Sequence, residues 1–422
     1  MPPSWSARLE EQFGLTLPDD VRCWFDDELW RGSDCTDYNE AVSPAELLDP
    51  RSSAVWGGMM PPDTLPVLGN GAGDCLSLRF DANGAVSEVV CWLHEGGQWW
   101  PCGKTLSEAL VLDRIRRISA PLDEKPEDES DAGNWADWAT QWLGTAKIQS
   151  IGFRDSFDNP SSVYDGFLDA GVAEESVHGI LCEQALDSGL MSYCRRVGGM
   201  KLANRLGVPW SHVRLWLFDN ARVPPEMVAR LAKETGRAPE DLLSQDWEAA
   251  AVHARFVSER RSDLAWPFAV VGWAKERKGD VSGAIEDYYA GLCALGSTAA
   301  FTDDWTLEGH WPGEKFTRAR LVVLKSALPR QIREDPYLLA VFEQRDTVRK
   351  HSDAIREFWL ARAEDAIKRG DAFEAYHSVY AAGWDQFHAD GMDLILDRLI
   401  AAARMAGSRA WEKIAERHRQ SL

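Results

Sequence analysis

No apolar stretch in this 422-residue sequence approaches the roughly 20 residues that a membrane-spanning helix needs, so no transmembrane segment is expected. The opening Met1-Pro2-Pro3-Ser4-Trp5-Ser6 lacks both the basic start and the apolar run of a secretory signal, and charge arrives early, at Glu10 and Glu11. A cytoplasmic setting is expected. The 8 cysteines include no Cys-x-x-Cys pair; Cys23, Cys75, Cys91, Cys182, Cys194 and Cys293 sit inside apolar patterns, as buried free thiols do. No two cysteines or histidines have zinc-ligand spacing, so no metal is expected.

Motifs of chemistry are equally scarce. There is no Gly-x-Ser-x-Gly elbow and no legible cysteine–histidine pair. His94-Glu95 has no second histidine at helical spacing, so it is not a zinc-protease motif. Gly69-x-Gly71-x-Gly73 lacks the lysine and hydroxyl residue of a phosphate loop, and it opens a strand where a nucleotide loop opens a helix. A tight turn is the expected structure there. No catalytic residue and no cofactor are expected, because nothing assigns roles to a nucleophile, an acid or a base.

What the chain does have is length, tryptophan and negative charge. It is long enough for two to four domains, and 45% apolar residues with 20 tryptophans supply material for their cores. The net charge is −21, unevenly spread. Residues 1–118 hold 9 Lys+Arg against 19 Asp+Glu, whereas residues 189–243 reverse the sign at 9 against 5. An acidic front half repels nucleic acid and matches a basic partner.

The most readable stretch runs from Asp63 to Glu95. Leu65, Val67 and Leu68 lead into the turn Gly69 to Asp74. Cys75, Leu76, Leu78 and Phe80 form a strand expected to be half-buried, with Arg79 on the opposite face. Asp81-Ala82-Asn83-Gly84 has hairpin-turn chemistry, and Val86, Val89, Val90, Trp92 and Leu93 make a third strand. Amphipathic helices precede this sheet and follow it, the latter from Leu106 to Ile115.

That order resembles the SUKH superfamily, which contains fungal cell-wall assembly regulators and bacterial toxin-immunity proteins. The resemblance covers residues 9–112. It rests on Leu17-Pro18-Asp19 at a helix start, Leu65-Pro66, Gly73-Asp74 opening a strand, His94-Glu95 closing one, and Leu106-Ser107-Glu108-Ala109-Leu110 in the last helix. The segment Gly32 to Gly57 departs from it by lacking an asparagine-glycine pair. The resemblance implies a binding domain that holds partner proteins on a concave sheet face. Asp74, His94, Glu95 and Trp99 are the candidate partner-binding residues, at one edge of the sheet.

Residues 119–133, rich in proline and acid, cannot bury enough surface to offset their ordering entropy and are expected to be a solvated linker. Beyond it the pattern turns helical. Trp135, Trp138 and Trp142 recur at three and four residues, a stripe expected in a core. Residues 198–243 resemble a Cro/repressor-type helix-turn-helix: Leu202-Ala203 and Leu206-Gly207-Val208 fit the second helix and turn, and Val213 and Trp216 fit buried positions of the recognition helix. Val228, Leu231 and Ala232 are expected to face inward on the helix after Pro224-Pro225. The resemblance implies possible DNA contact through Arg205, His212, Arg214 and Arg222, with Trp210 and Ser211 nearby. Residues 268–292 resemble a tetratricopeptide helix pair, with Gly272 small for its neighbour, Gly279-Asp280 in the turn, Ala284 at the close approach and Tyr288 filling the hole opposite. A second copy fits residues 358–382, with Ala363, Gly370-Asp371, Ala375 and Val379 in those places.

The expected architecture is therefore multidomain: an α+β SUKH-like domain in 1–118, with an antiparallel sheet flanked by helices, and then an all-α region. The all-α region holds the helix-turn-helix-like unit in 134–246 and the tetratricopeptide-like domain in 247–422, after the acidic linker. The expected function is non-catalytic protein binding, as an immunity protein or regulatory adaptor with a basic partner. The competing expectation is a DNA-binding regulator in which the SUKH-like domain senses a partner.

Overall fold

The computed structural model describes residues 3–32, 38–55, 60–94, 99–119, 134–144, 160–295, 316–343, 353–383 and 392–421. Residues 120–133 of the expected linker, and Glu95, lie outside the described residues. The chain forms two compact units, Met1–Val177 together with Pro336–Leu422, and His178–Asp335. The stretch 247–422 is thereby divided, and its two tetratricopeptide-like pairs belong to different units.

The first unit begins with α1 (Trp5–Phe13) and α2 (Asp19–Asp26), followed by strand β1 (Glu40–Ala41) and α3 (Pro44–Leu48). Ser4 caps α1 by accepting from the Ala7 N–H, and Ser43 with Glu46 forms a reciprocal capping box on α3. Strands β2 (Thr64–Gly69), β3 (Cys75–Phe80), β4 (Val86–Trp92) and β5 (Trp99–Gly103) complete an antiparallel sheet ordered β1-β2-β3-β4-β5. Helices α4 (Leu106–Ser119), α5 (Asn134–Leu143) and α6 (Pro160–Asp169) follow. One sheet face carries Leu76, Leu78 and Cys91, all buried. The Tyr38 hydroxyl meets the Cys91 thiol there, and burial pushes the Cys102 thiol up to about 12. Trp24 of α2 packs on Trp135 and Trp138 of α5 at 5.1 and 5.6 Å. Trp142, the third of the stripe, is 42% exposed: the helix turns it past the edge of that cluster.

The second unit contains most of α7 (Glu174–Leu186), then α8 (Gly189–Val197), α9 (Gly199–Leu206), α10 (Trp210–Phe218), α11 (Pro225–Thr235) and α12 (Pro239–Leu242). It continues through α13 (Trp247–Ser258), α14 (Trp266–Arg277), α15 (Val281–Leu292), α16 (Phe316–Val323) and α17 (Arg330–Arg333). Gly207 takes a left-handed φ of 66° between α9 and α10, and Leu202, Ala203, Leu206, Val213 and Trp216 are buried. On α11 the inward pair is Met227 and Leu231; Val228 and Ala232 are only half-buried, one position off the expected stripe. Phe218, at the end of α10, packs against Trp247, Trp273 and Phe316 at 5.5, 5.0 and 5.2 Å. That aromatic cluster joins α10 to α13, α14 and α16 in one core.

The first unit resumes with α18 (Pro336–Glu343), α19 (Asp353–Arg369), α20 (Ala372–Gly383), α21 (Met392–Met405) and α22 (Arg409–Gln420). Of these, α20 and α22 pack on the other face of the sheet. The Trp411 indole N–H donates to the Phe80 carbonyl at 2.7 Å, and the Tyr376 hydroxyl lies 3.1 Å from the Pro62 and Trp411 carbonyls. Arg417 donates to the carbonyls of Asp49, Pro50 and Ser52. β3 is therefore buried on both faces, Arg79 included at 1% exposure. Its alternation is apolar against a buried ion network, where the sequence pattern led us to expect solvent. Among the described residues no helix is long and apolar enough to cross a membrane.

Candidate functional site

The turn between β2 and β3 builds an acidic corner on the β1 side of the sheet. Asn70 organises it: its side-chain oxygen accepts from the Ala72 and Asp74 N–H groups at 2.9 and 3.0 Å, and its amide donates to the Asp74 carboxylate at 2.9 Å. Asp74 in turn accepts from the His94 backbone N–H at 2.9 Å and lies 3.0 Å from His94 Nδ1. Asp74 thus ties the turn to the end of β4. Gly73 permits this contact, because its φ is 109° and a Cβ there would lie 2.9 Å from the His94 ring. Gly71 lies beneath the Glu40 carboxylate, where a Cβ would come within 2.8 Å of its oxygen. Two carboxylates, from Glu40 and Asp74, therefore face this glycine turn, and their charge opposes any phosphate there.

Of the four candidate binding residues, Asp74 and His94 are brought together and are 21% and 26% exposed. Glu95 lies outside the described residues. Trp99 is not on the rim. It is 2% exposed, on the covered face of β5, with the Arg79 guanidinium 4.5 Å from its ring and His377 6.0 Å away. The physical reason is α20, which closes over the aromatic strand end. Exposed Glu40 was missed, since a two-residue strand leaves no periodic signal.

Asp63, Arg79, Glu88 and His377 form a second constellation that sequence spacing did not reveal. Arg79 bridges Asp63 at 3.0 Å and Glu88 at 2.8 Å, and His377 Nε2 lies 2.9 Å from Asp63. His377 Nδ1 lies 2.9 Å from the Phe373 carbonyl, so both ring nitrogens have a hydrogen-bonding neighbour. Burial alone would raise the Asp63 carboxyl, but Arg79 and His377 outweigh it and hold it below the usual carboxylate range. Asp63, Arg79 and His377 are at most 1% exposed, so solvent does not reach the acid–base pair and the network acts as a brace between sheet and helix.

The candidate DNA-contacting residues all belong to the second unit. Arg205 is exposed but donates to Tyr193 at 3.1 Å and to Glu234 at 3.0 Å. His212 is exposed at the start of α10, and Arg214 is half-buried there. Trp210 packs its ring where a Gly199 Cβ would lie at 2.3 Å, so it serves the α9–α10 contact. Arg222 is exposed, 5.2 Å from the Trp273 ring, at a cleft of about 400 Å³ shared with Trp247, Arg277 and Lys278. The surrounding cations are held locally: Arg277 pairs with Asp219 at 3.0 Å and Arg195 with Asp187 at 3.3 Å. Among the described residues no group of three or more metal-ligating side chains occurs. Comparison with protein-family models, curated proteins and solved structures finds no match to this chain.

Proposed function

We propose that the chain is a non-catalytic protein-binding protein, a SUKH-like immunity or regulatory adaptor that engages a basic partner at the corner formed by Glu40, Asp74 and His94. The observation that carries this reading is the placement of charge on a braced, solvent-facing turn. Asn70 and His94 fix the Asp74 carboxylate, while Glu40 has no cationic partner among the described residues. Both sheet faces are occupied by the unit's own helices, so the partner meets the edge and its turn, not a bare concave face. An edge of this kind offers carboxylates at fixed spacing to lysine or arginine side chains, with little ordering cost on binding.

DNA binding is the second reading. In its favour are the α9–α10 geometry and the exposed Ser211 and His212. Against it, Arg205 is engaged by Glu234, and phosphate neutralisation dominates duplex affinity in a molecule carrying −21. The test is capture from native cells with wild-type chain and the variant E40Q/D74N. A basic protein held by the first and lost by the second is expected. Equal retention by both would rule out the corner.

A further inference from the structure

A cleft of about 730 Å³ opens in the first unit between α1, α3 and α22. Arg8, Arg409, Lys413 and Arg417 line it, opposed by Glu11 and Glu416. A net positive cleft stands out in a chain with 67 acidic and 46 basic residues. Lys413 is paired with Glu416 at 2.7 Å. Arg8 and Arg409 are exposed and form no ion pair among the described residues.

Arg417 is the telling member. It is 4% exposed, and its terminal nitrogens donate to three backbone carbonyls, but its Nε has no acceptor. No described carboxylate lies within ion-pair distance of it; Asp49 acts on its charge only from farther away. A buried cation without a counter-ion is costly, and an anion seated in the adjoining cleft would relieve that cost. Arg409 is held in place from below. Its stem crosses Gly14, where a Cβ would approach Cγ to 2.6 Å, and Gly14 has a φ of 66° that glycine adopts freely. The Arg8 guanidinium lies 4.5 Å from the Trp5 ring. Two pre-positioned guanidinium forks match the oxygens of a phosphate group, and the volume is that of a small-ligand site.

We propose that this cleft binds a small organic phosphate, its phosphate gripped by Arg8 and Arg409 beside the buried Arg417. Glu11 limits the affinity by its charge. The site is separate from the acidic corner, and the proposal stands without that reading.

The test is calorimetric titration of the full chain with inorganic pyrophosphate, at ionic strength held constant with sodium chloride. Citrate is the comparison anion. Saturable one-site binding of pyrophosphate is expected, severalfold tighter than citrate. R8Q and R409Q each lower the affinity tenfold or more, E11Q raises it severalfold, and R330Q on α17 leaves it unchanged. Absence of saturable binding overturns the proposal. So does equal affinity in wild type, R8Q and R409Q, an equal loss in R330Q, or citrate binding as tightly as pyrophosphate.

Discussion

Replacing Asp63 with asparagine tests whether the ion network is what fastens α20 to the sheet. The substitution keeps the shape and removes the charge that Arg79 and His377 share at 3.0 and 2.9 Å. Breaking a buried pair by removing one partner costs about 3–5 kcal/mol, because the other charge is left uncompensated. Arg79 keeps Glu88 at 2.8 Å, which places this case at the lower end, about 3 kcal/mol. For a folding unit of this size that corresponds to a loss of roughly 6–12 °C in Tm. Scanning calorimetry of D63N against wild type reads it directly, and D63N combined with R79M should cost clearly less than the sum of the two single losses. A D63N shift below about 2 °C, or strict additivity in the double variant, would refute the idea of a network acting as one brace.

Gly272→Ala places a methyl 2.5 Å from the Tyr288 ring and should destabilise the second unit by about 1–3 kcal/mol in urea unfolding, an effect that Tyr288→Leu relieves. Asp74→Ala removes the tie between the β2–β3 turn and β4 and should cost about 1–2 kcal/mol, read as a lower Tm. Burial, reinforced by Arg417, holds His418 at about 4, below its unfolded value of roughly 6.5, so the folded state resists the proton that the unfolded state takes up. That contribution to the first unit is complete above about pH 6.5 and falls by up to about 3 kcal/mol towards pH 4; Asp63 loses its contribution only below about pH 4, and H418Q lowers the slope between pH 7.5 and 5 in urea titrations while leaving the part due to His178, likewise held at about 4 in the second unit. Duplex DNA titrated with the intact protein near physiological salt should show weak binding without sequence preference, far from the roughly 10⁻⁸ M of a true operator.

Local elements were legible in the sequence wherever a residue's role is set by its near neighbours. Gly272 and Tyr288 were readable as a close-packed pair because the helix turn at Gly279 fixes their spacing, and a Cβ at Gly272 would indeed meet the Tyr288 ring. Asn70, Gly73 and Asp74 were readable as a turn because their bonds are made within a few residues. Arg79 shows the limit. Its alternation with Leu78 and Phe80 is the pattern of a solvated face, and only His377, 298 positions later in the chain, makes that face an interior. Trp99 was misplaced for the same reason, since nothing near it in sequence announces α20. Cys91, Cys182 and Cys194 are buried as their apolar surroundings predicted, whereas Cys23, Cys75 and Cys293 are only half-buried, and Trp142 had the right period but stays 42% exposed with its ring 6.2 Å from Trp138.

The central claim, that a basic protein docks on a charged corner, is tested most directly by the association rate of the captured partner in stopped flow. The rate should fall tenfold or more between about 20 mM and 500 mM salt, as the Debye length shrinks from about 20 Å to a few ångströms, and E40Q/D74N should be slow at low salt and nearly insensitive to it. A wild-type rate that stays flat across that range, or one that the corner variant leaves unchanged, would contradict the account.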